Sequence, residues 1–146
     1  MENYKSGSHT RHDLKVHLVW STKYRKAVLF GEVALRVREL IREICAVQEV
    51  TILKGHVSKD HVHLFVGYPP HLAVSKLVQR LKGKSLYALL SEYTEMRRKF
   101  WGQRLWARGY FAASSGNVTD EVVMGYIAGQ DQERSDDEFR VGEEPR

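Results

Sequence analysis

The chain has 146 residues, 42% hydrophobic and 28% charged, the balance of one globular domain long enough to close a core. No apolar run approaches a membrane span, the N-terminal stretch has no signal-peptide core, and the single cysteine excludes an internal disulfide, so the expectation is a cytoplasmic protein without a membrane partner. The net charge is +5, but the tail after Gln130 holds seven acids and three bases, which leaves 20 basic against 11 acidic side chains in residues 1–130. A basic body calls for a polyanionic partner, unless it is simply a solvated basic surface. The tail, residues 131–146, is acidic and aperiodic and is expected to be flexible.

Residues 14–22 alternate, with Val16, Leu18 and Trp20 against Lys15, His17 and Val19, which predicts a strand with one moderately polar face. Lys23-Tyr24-Arg25-Lys26 follows as a basic loop. From Glu32 to Gln48 an apolar stripe of Val33, Val37, Leu40, Ile41, Ile44 and Val47 predicts an amphipathic helix, with Cys45 as core rather than a nucleophile. A second strand is predicted from about Val50 to Val57 and a third from His61 to Tyr68, joined by the hairpin-length Ser58-Lys59-Asp60 and stopped by Pro69-Pro70. The next helix runs from about Leu72 to Tyr93, with a leucine-rich buried side and Lys76, Arg80, Lys82 and Lys84 on the remainder. Arg97, Arg98 and Lys99 are expected in a basic loop, and Leu105 to Ala113 as the fourth strand. After a turn at Ser114-Ser115-Gly116, Asn117 is a candidate cap for a last helix with Asp120 and Glu121 in its first turn, ending near Gln130.

The order β-α-β-β-α-β predicts an α+β, ferredoxin-like antiparallel sheet with an extra C-terminal helix. Its two helices cover one sheet face and leave the other for function.

That open face is where the chemistry collects. In His61-Val62-His63-Leu64, strand alternation sets two imidazoles side by side, opposite the apolar residues. Exposed strand histidines explain a His-x-His as readily as metal ligands do, so the last helix matters. Tyr126 and Gln130 stand at i and i+4 on one helical face. Laid over the sheet, that helix delivers a phenol and an amide oxygen to the imidazoles. Two nitrogens and a neutral oxygen are not a closed zinc set and suit Mg²⁺ or Mn²⁺, manganese accepting imidazole more readily. Such an ion polarises a phosphodiester, and Tyr126 is placed to attack its phosphorus, unless it is a packing tyrosine. Gly125 and Gly129, costly inside a short helix, point to close approach or movement there.

The segments His17-Leu18-Val19-Trp20-Ser21-Thr22-Lys23-Tyr24-Arg25, Asp60-His61-Val62-His63-Leu64, Leu81-Lys82-Gly83-Lys84-Ser85, Leu105-Trp106-Ala107-Arg108-Gly109-Tyr110-Phe111 and Tyr126-Ile127-Ala128-Gly129-Gln130 occur in that order. Together they resemble the HUH-type single-tyrosine transposases of small insertion sequences that move as single-stranded DNA. The resemblance covers about residues 14–130. It implies one catalytic domain over 1–130 that acts as a homodimer, recognises DNA hairpins, cleaves single strands through a 5′-phosphotyrosine and rejoins them. It implies His61, His63 and Gln130 as metal ligands and Tyr126 as nucleophile, with the tyrosine helix of one subunit able to complete the other's site. Lys23, Tyr24, Arg25, Lys76, Arg80, Lys82 and Lys84 are the candidate DNA contacts. The acidic tail departs from the pattern.

Three readings stand beside this one, the first a metal-dependent hydrolase that would use His61 and His63 but need no Tyr126. A ferredoxin-like sheet with aromatic and basic residues also serves as a single-stranded nucleic-acid-binding module, which would form no covalent adduct. A domesticated relative acting on repeated genomic palindromes, as REP-associated tyrosine transposases do, would share the chemistry and differ in its DNA target.

Overall fold

The computed structural model describes residues 5–6, 11–100, 104–114, 118–119 and 121–129. Two short antiparallel strands, β1 (Lys5–Ser6) and β2 (Arg11–His12), precede the main sheet. That sheet comprises β3 (Lys15–Ser21), β4 (Thr51–Val57), β5 (His61–Gly67) and β6 (Phe111–Ala113) in the spatial order β4-β5-β3-β6, antiparallel throughout. With α1 (Gly31–Val47) between β3 and β4 and α2 (Val74–Glu92) between β5 and β6, this is the ferredoxin-like arrangement.

Alternation decides what is buried. Val16, Leu18 and Trp20 of β3 and Val62, Leu64 and Val66 of β5 form one core with Val37, Leu40, Ile41 and Ile44 of α1 and Leu77, Leu81 and Leu89 of α2. Cys45 belongs to this core, and burial raises its thiol to about 11, so it is neutral and inert. Arg36 ties the helices together outside the core, its Nε and Nη2 donating to the two carboxylate oxygens of Glu92 at 2.8 and 3.0 Å. The end of α1 is a Schellman turn: Val50 N–H donates to Cys45 O at 2.8 Å and Glu49 N–H to Ala46 O at 3.1 Å. Glu49 holds the left-handed position of that turn at φ 62°, where glycine is usual.

Two expected elements differ. The basic stretch after α2 is not a loop but a helix, α3 (Thr94–Phe100). Met96 and Phe100, four residues apart, are both buried, while Glu95 in the first turn and Arg97, Arg98 and Lys99 in the last match the helix dipole. Arg97 also donates to Leu90 O at 2.7 Å, satisfying a terminal carbonyl of α2. The fourth strand is only Phe111–Ala113, not Leu105 to Ala113. Trp106 makes one isolated bridge to Thr22 and turns into the core, its indole donating to Ser85 Oγ at 3.1 Å. Gly109 then takes a left-handed turn at φ 79°, and the Lys82 ammonium donates to Ala107 O and Gly109 O at 2.8 and 3.0 Å. Those bonds replace a sheet ladder.

Residues 121–129 form the last helix, α4. Thr119 caps it, its Oγ1 accepting from Val122 N–H at 3.3 Å. Asn117, Gln130 and the tail after it lie outside the described residues. Val123 and Ile127 pack on Val19, which is fully buried although it lies on the sheet face opposite the main core. The open face is therefore covered by α4 at its β3–β6 side and exposed at its β5–β4 side.

Candidate active site

Pairing register builds the histidine face. His63 lies opposite Val19 of β3 and His56 of β4, Phe65 opposite His17, and His61 opposite Ser21. Directly opposed residues share a face, so His61, His63, His17 and His56 all look to the side away from the main core. They line a cleft of about 670 Å³ whose far wall is Val118, Val123 and Met124. His61 and His63 are both half-buried, and Val62 between them is fully buried.

His17 was not among the residues singled out as ligands from sequence, because neither motif nor spacing in one strand reveals it. It becomes visible only through the β3–β5 register. Its Nδ1 lies 3.2 Å from Nε2 of His63, and its ring stacks on Phe65 with centroids 4.1 Å apart. One of the two imidazoles donates and the other accepts. Burial lowers the pKa of His17, which favours its neutral form in this contact. A single ring nitrogen cannot hold both His17 and a cation, so a cation at Nε2 of His63 would have to displace His17.

His61 has a different neighbour. Its Nδ1 lies 2.9 Å from Oδ1 of Asp60, whose side chain is only 8% exposed. The other carboxylate oxygen accepts from Arg25 Nε at 3.3 Å. Burial raises the Asp60 pKa, but the hydrogen bonds from His61 and Arg25 outweigh it, and the net shift is downward, toward the carboxylate. Arg25 arrives from a short 3₁₀ turn, Lys23–Arg25, in which Tyr24 and Arg25 both have left-handed φ, 60° and 52°. That turn is pinned to the β4–β5 connection: Thr22 N–H donates to Asp60 O at 2.9 Å, and Val28 and Leu29 N–H both donate to Lys59 O.

Tyr126 is half-buried on α4, with its ring tilted against Phe111 at 5.9 Å between centroids. It belongs to the small cluster of Val19, Val123 and Ile127 and does not line the histidine cleft. The structure thus gathers the histidines and lays the tyrosine helix across the same sheet face, with the phenol on the β6 side. Gln130 lies outside the described residues. A Cβ added at Gly125 or Gly129 would meet nothing within 4 Å, so no close approach among the described residues requires either glycine.

The residues that could hold a divalent ion are His61 and His63. Their donor chemistry fits one: two imidazoles on one face, with His61 held at Nδ1 by a carboxylate so that Nε2 faces outward. Among the described residues no group of three histidine, cysteine or carboxylate side chains converges on one point. The remaining ligands of a cation held there would come from an amide, a substrate phosphate or water.

The sequence pattern of the IS200-like transposases matches residues 10–130. The chain is 33% identical over 133 residues to the transposase for insertion sequence element IS200 of Salmonella typhimurium, covering 91% of this chain and 87% of that protein. It is also 33% identical over 126 residues to the ISDra2 transposase TnpA of Deinococcus radiodurans, covering 86% and 90%. This chain belongs to the IS200-like transposase family. Its fold matches the crystal structure of a transposase from Deinococcus radiodurans R1 with a TM-score of 0.80 and 31% identity, over 86% of this chain and 97% of that one. A REP-associated tyrosine transposase, solved bound to a REP hairpin, shares the fold with a TM-score of 0.55 at 13% identity, over 85% of this chain and 68% of that one.

In this IS200-like transposase the candidate DNA contacts fall into two groups. Lys23, Tyr24, Lys76 and Lys84 offer accessible charge or ring surface, with the Lys23 ammonium 5.2 Å above the Tyr24 ring. Arg25, Arg80 and Lys82 have internal partners: Asp60, Gln48, and the carbonyls of Ala107 and Gly109. Burial, then the nearby Arg104, lowers the pKa of Lys82. Its ammonium braces the 107–109 turn. No helix among the described residues is long and apolar enough to cross a membrane.

Proposed function

We propose that this IS200-like transposase cleaves and rejoins single-stranded DNA by a tyrosine nucleophile with a divalent metal, Mg²⁺ or Mn²⁺. The observation that carries the reading is the pair His61 and His63 on the exposed part of the sheet face, in a cleft walled by the helix that bears Tyr126. The Tyr126 phenol gives its proton to water as its oxygen bonds to phosphorus, the bond from phosphorus to the 3′ oxygen breaks, and that oxygen takes up a proton from water and leaves as a 3′-hydroxyl. The 5′-phosphate stays on the tyrosine, which conserves the ester for rejoining. His61 and His63, with Gln130 as third ligand, would hold the cation, which when bound would polarise the phosphodiester and offset the charge that develops on it. The basic surface at Lys23, Lys76 and Lys84 holds the DNA backbone.

The substrate proposed is a single strand that carries a hairpin, and the active species a homodimer. On α4, Val122 is 39% exposed, an apolar side chain that a second subunit would cover. The deciding experiment incubates the protein with single-stranded oligonucleotides from the flanks of its gene and Mn²⁺, then runs a denaturing gel. The wild type should give a covalent protein–DNA band and a 3′-hydroxyl fragment. Tyr126→Phe should give neither while still binding the DNA. Cleavage by this variant at the wild-type rate, or an adduct that maps to another residue, refutes the mechanism.

A further inference from the structure

Asp60 is nearly buried, carries no assigned role, and uses both carboxylate oxygens inside the protein. A buried carboxylate is costly unless each oxygen is bonded, and here each is. One oxygen meets a ring nitrogen of His61, the other an arginine whose backbone is held in a left-handed turn. Neither partner is needed for the core. The main-chain bonds from Thr22 to Asp60 O, and from Val28 and Leu29 to Lys59 O, already hold this corner. The two side-chain bonds therefore do something other than close the fold.

We infer that Asp60, clamped by Arg25, is a positioning residue that fixes the proton of His61 on Nδ1 and so turns the bare Nε2 toward the cleft. An ionised carboxylate only accepts, so the nitrogen facing it must carry the hydrogen. A neutral imidazole then has its lone pair on the other nitrogen, the form a metal ligand requires. Without Asp60, His61 samples both tautomers and rotates about its side-chain bonds, and a cation must pay for that ordering on binding. The same carboxylate connects the site to the basic turn Lys23–Lys26, because Arg25 belongs to both. The inference rests on the proposed metal reading of His61 and His63 and extends it to what prepares one of those ligands.

The test measures Mn²⁺ binding to the full chain without DNA, by the electron paramagnetic resonance signal of the free ion. His61→Ala should lose the site. Asp60→Asn, which keeps the shape and removes the charge, should weaken Mn²⁺ by ~10- to 100-fold. Arg25→Gln should weaken it less. If His61→Ala binds Mn²⁺ as the wild type does, the metal reading itself fails and this inference with it. If His61→Ala loses the ion while Asp60→Asn stays within twofold of wild type, only the positioning role is overturned. Wild-type affinity in Arg25→Gln removes the clamp. A second measurement needs no variant: ¹⁵N shifts of His61 in the metal-free wild type at pH 8.5 report where the proton sits. A proton on Nδ1 supports the inference, and a bare Nδ1 overturns it.

Discussion

His61 and His63 sit on a strand whose other face is fully buried, which makes them removable without touching the core. Val62, Leu64 and Val66 supply the packing, and the imidazoles face the cleft. His61→Ala and His63→Ala should therefore fold with a melting temperature near that of wild type and lose metal-dependent cleavage to background. A gel-based cleavage assay, with and without excess chelator, checks this. Normal cleavage by either variant, or cleavage that survives the chelator, contradicts the metal assignment. This part of the site was legible because a period of two is fixed by strand geometry and by nothing else. The contributions of His17 and Asp60 were not legible. His17 reaches His63 across a strand pair 46 residues apart in sequence, and Asp60 shows its role only once the Thr22–Arg25 turn folds back onto it.

At the scale of elements, patterns held wherever one face of a long segment is buried. The stripes of α1 and α2 and the alternation of β3 and β5 are of this kind, except that Val47, counted in the α1 stripe, is 75% exposed at the helix end. Short elements were obscured by composition: α3 reads as a basic loop because three of its seven residues are cationic, and only the Met96–Phe100 spacing betrays the helix. The fourth strand read too long because an aromatic-rich segment looks like a strand even when its carbonyls bond to a lysine. Local backbone strain is likewise invisible in a pattern. Glu49 occupies a left-handed cap at φ 62°, which costs an L-residue roughly 1–2 kcal/mol, while glycine gives back up to about 1 kcal/mol through the freer unfolded chain. Glu49→Gly should therefore stabilise the protein by about 0.5–1 kcal/mol, read as a rise in the urea midpoint at unchanged slope. A lower midpoint would show that the glutamate side chain contributes more than its backbone conformation costs.

For the whole molecule, the question is where α4 belongs when the enzyme works. Among the described residues its hold on the sheet is small: Val123 and Ile127 pack on Val19, with Phe111, Val118 and Tyr126 around them. Three buried aliphatic side chains contribute about 1.5–3 kcal/mol each, modest against the ordering of a nine-residue helix. Tyr126 faces Phe111 rather than the histidine cleft, and Val122 and Met124 are 39% and 48% exposed. A helix so weakly held can dock on its own sheet or on the equivalent sheet of a second subunit, because the same contacts form either way. The expected active species is a dimer in which α4 of one subunit supplies Tyr126 to the histidines of the other. Two inactive proteins distinguish the arrangements: Tyr126→Phe, and the double variant His61→Ala/His63→Ala. Mixed under conditions that exchange subunits, they form heterodimers. With docking in trans, one site of each heterodimer combines intact histidines with an intact tyrosine, so cleavage returns to as much as about one quarter of the wild-type level, since heterodimers are half the population and carry one working site in two. With docking in cis, both sites of every heterodimer are defective. Heterodimers shown by native mass spectrometry, with no cleavage recovered, would rule out docking in trans.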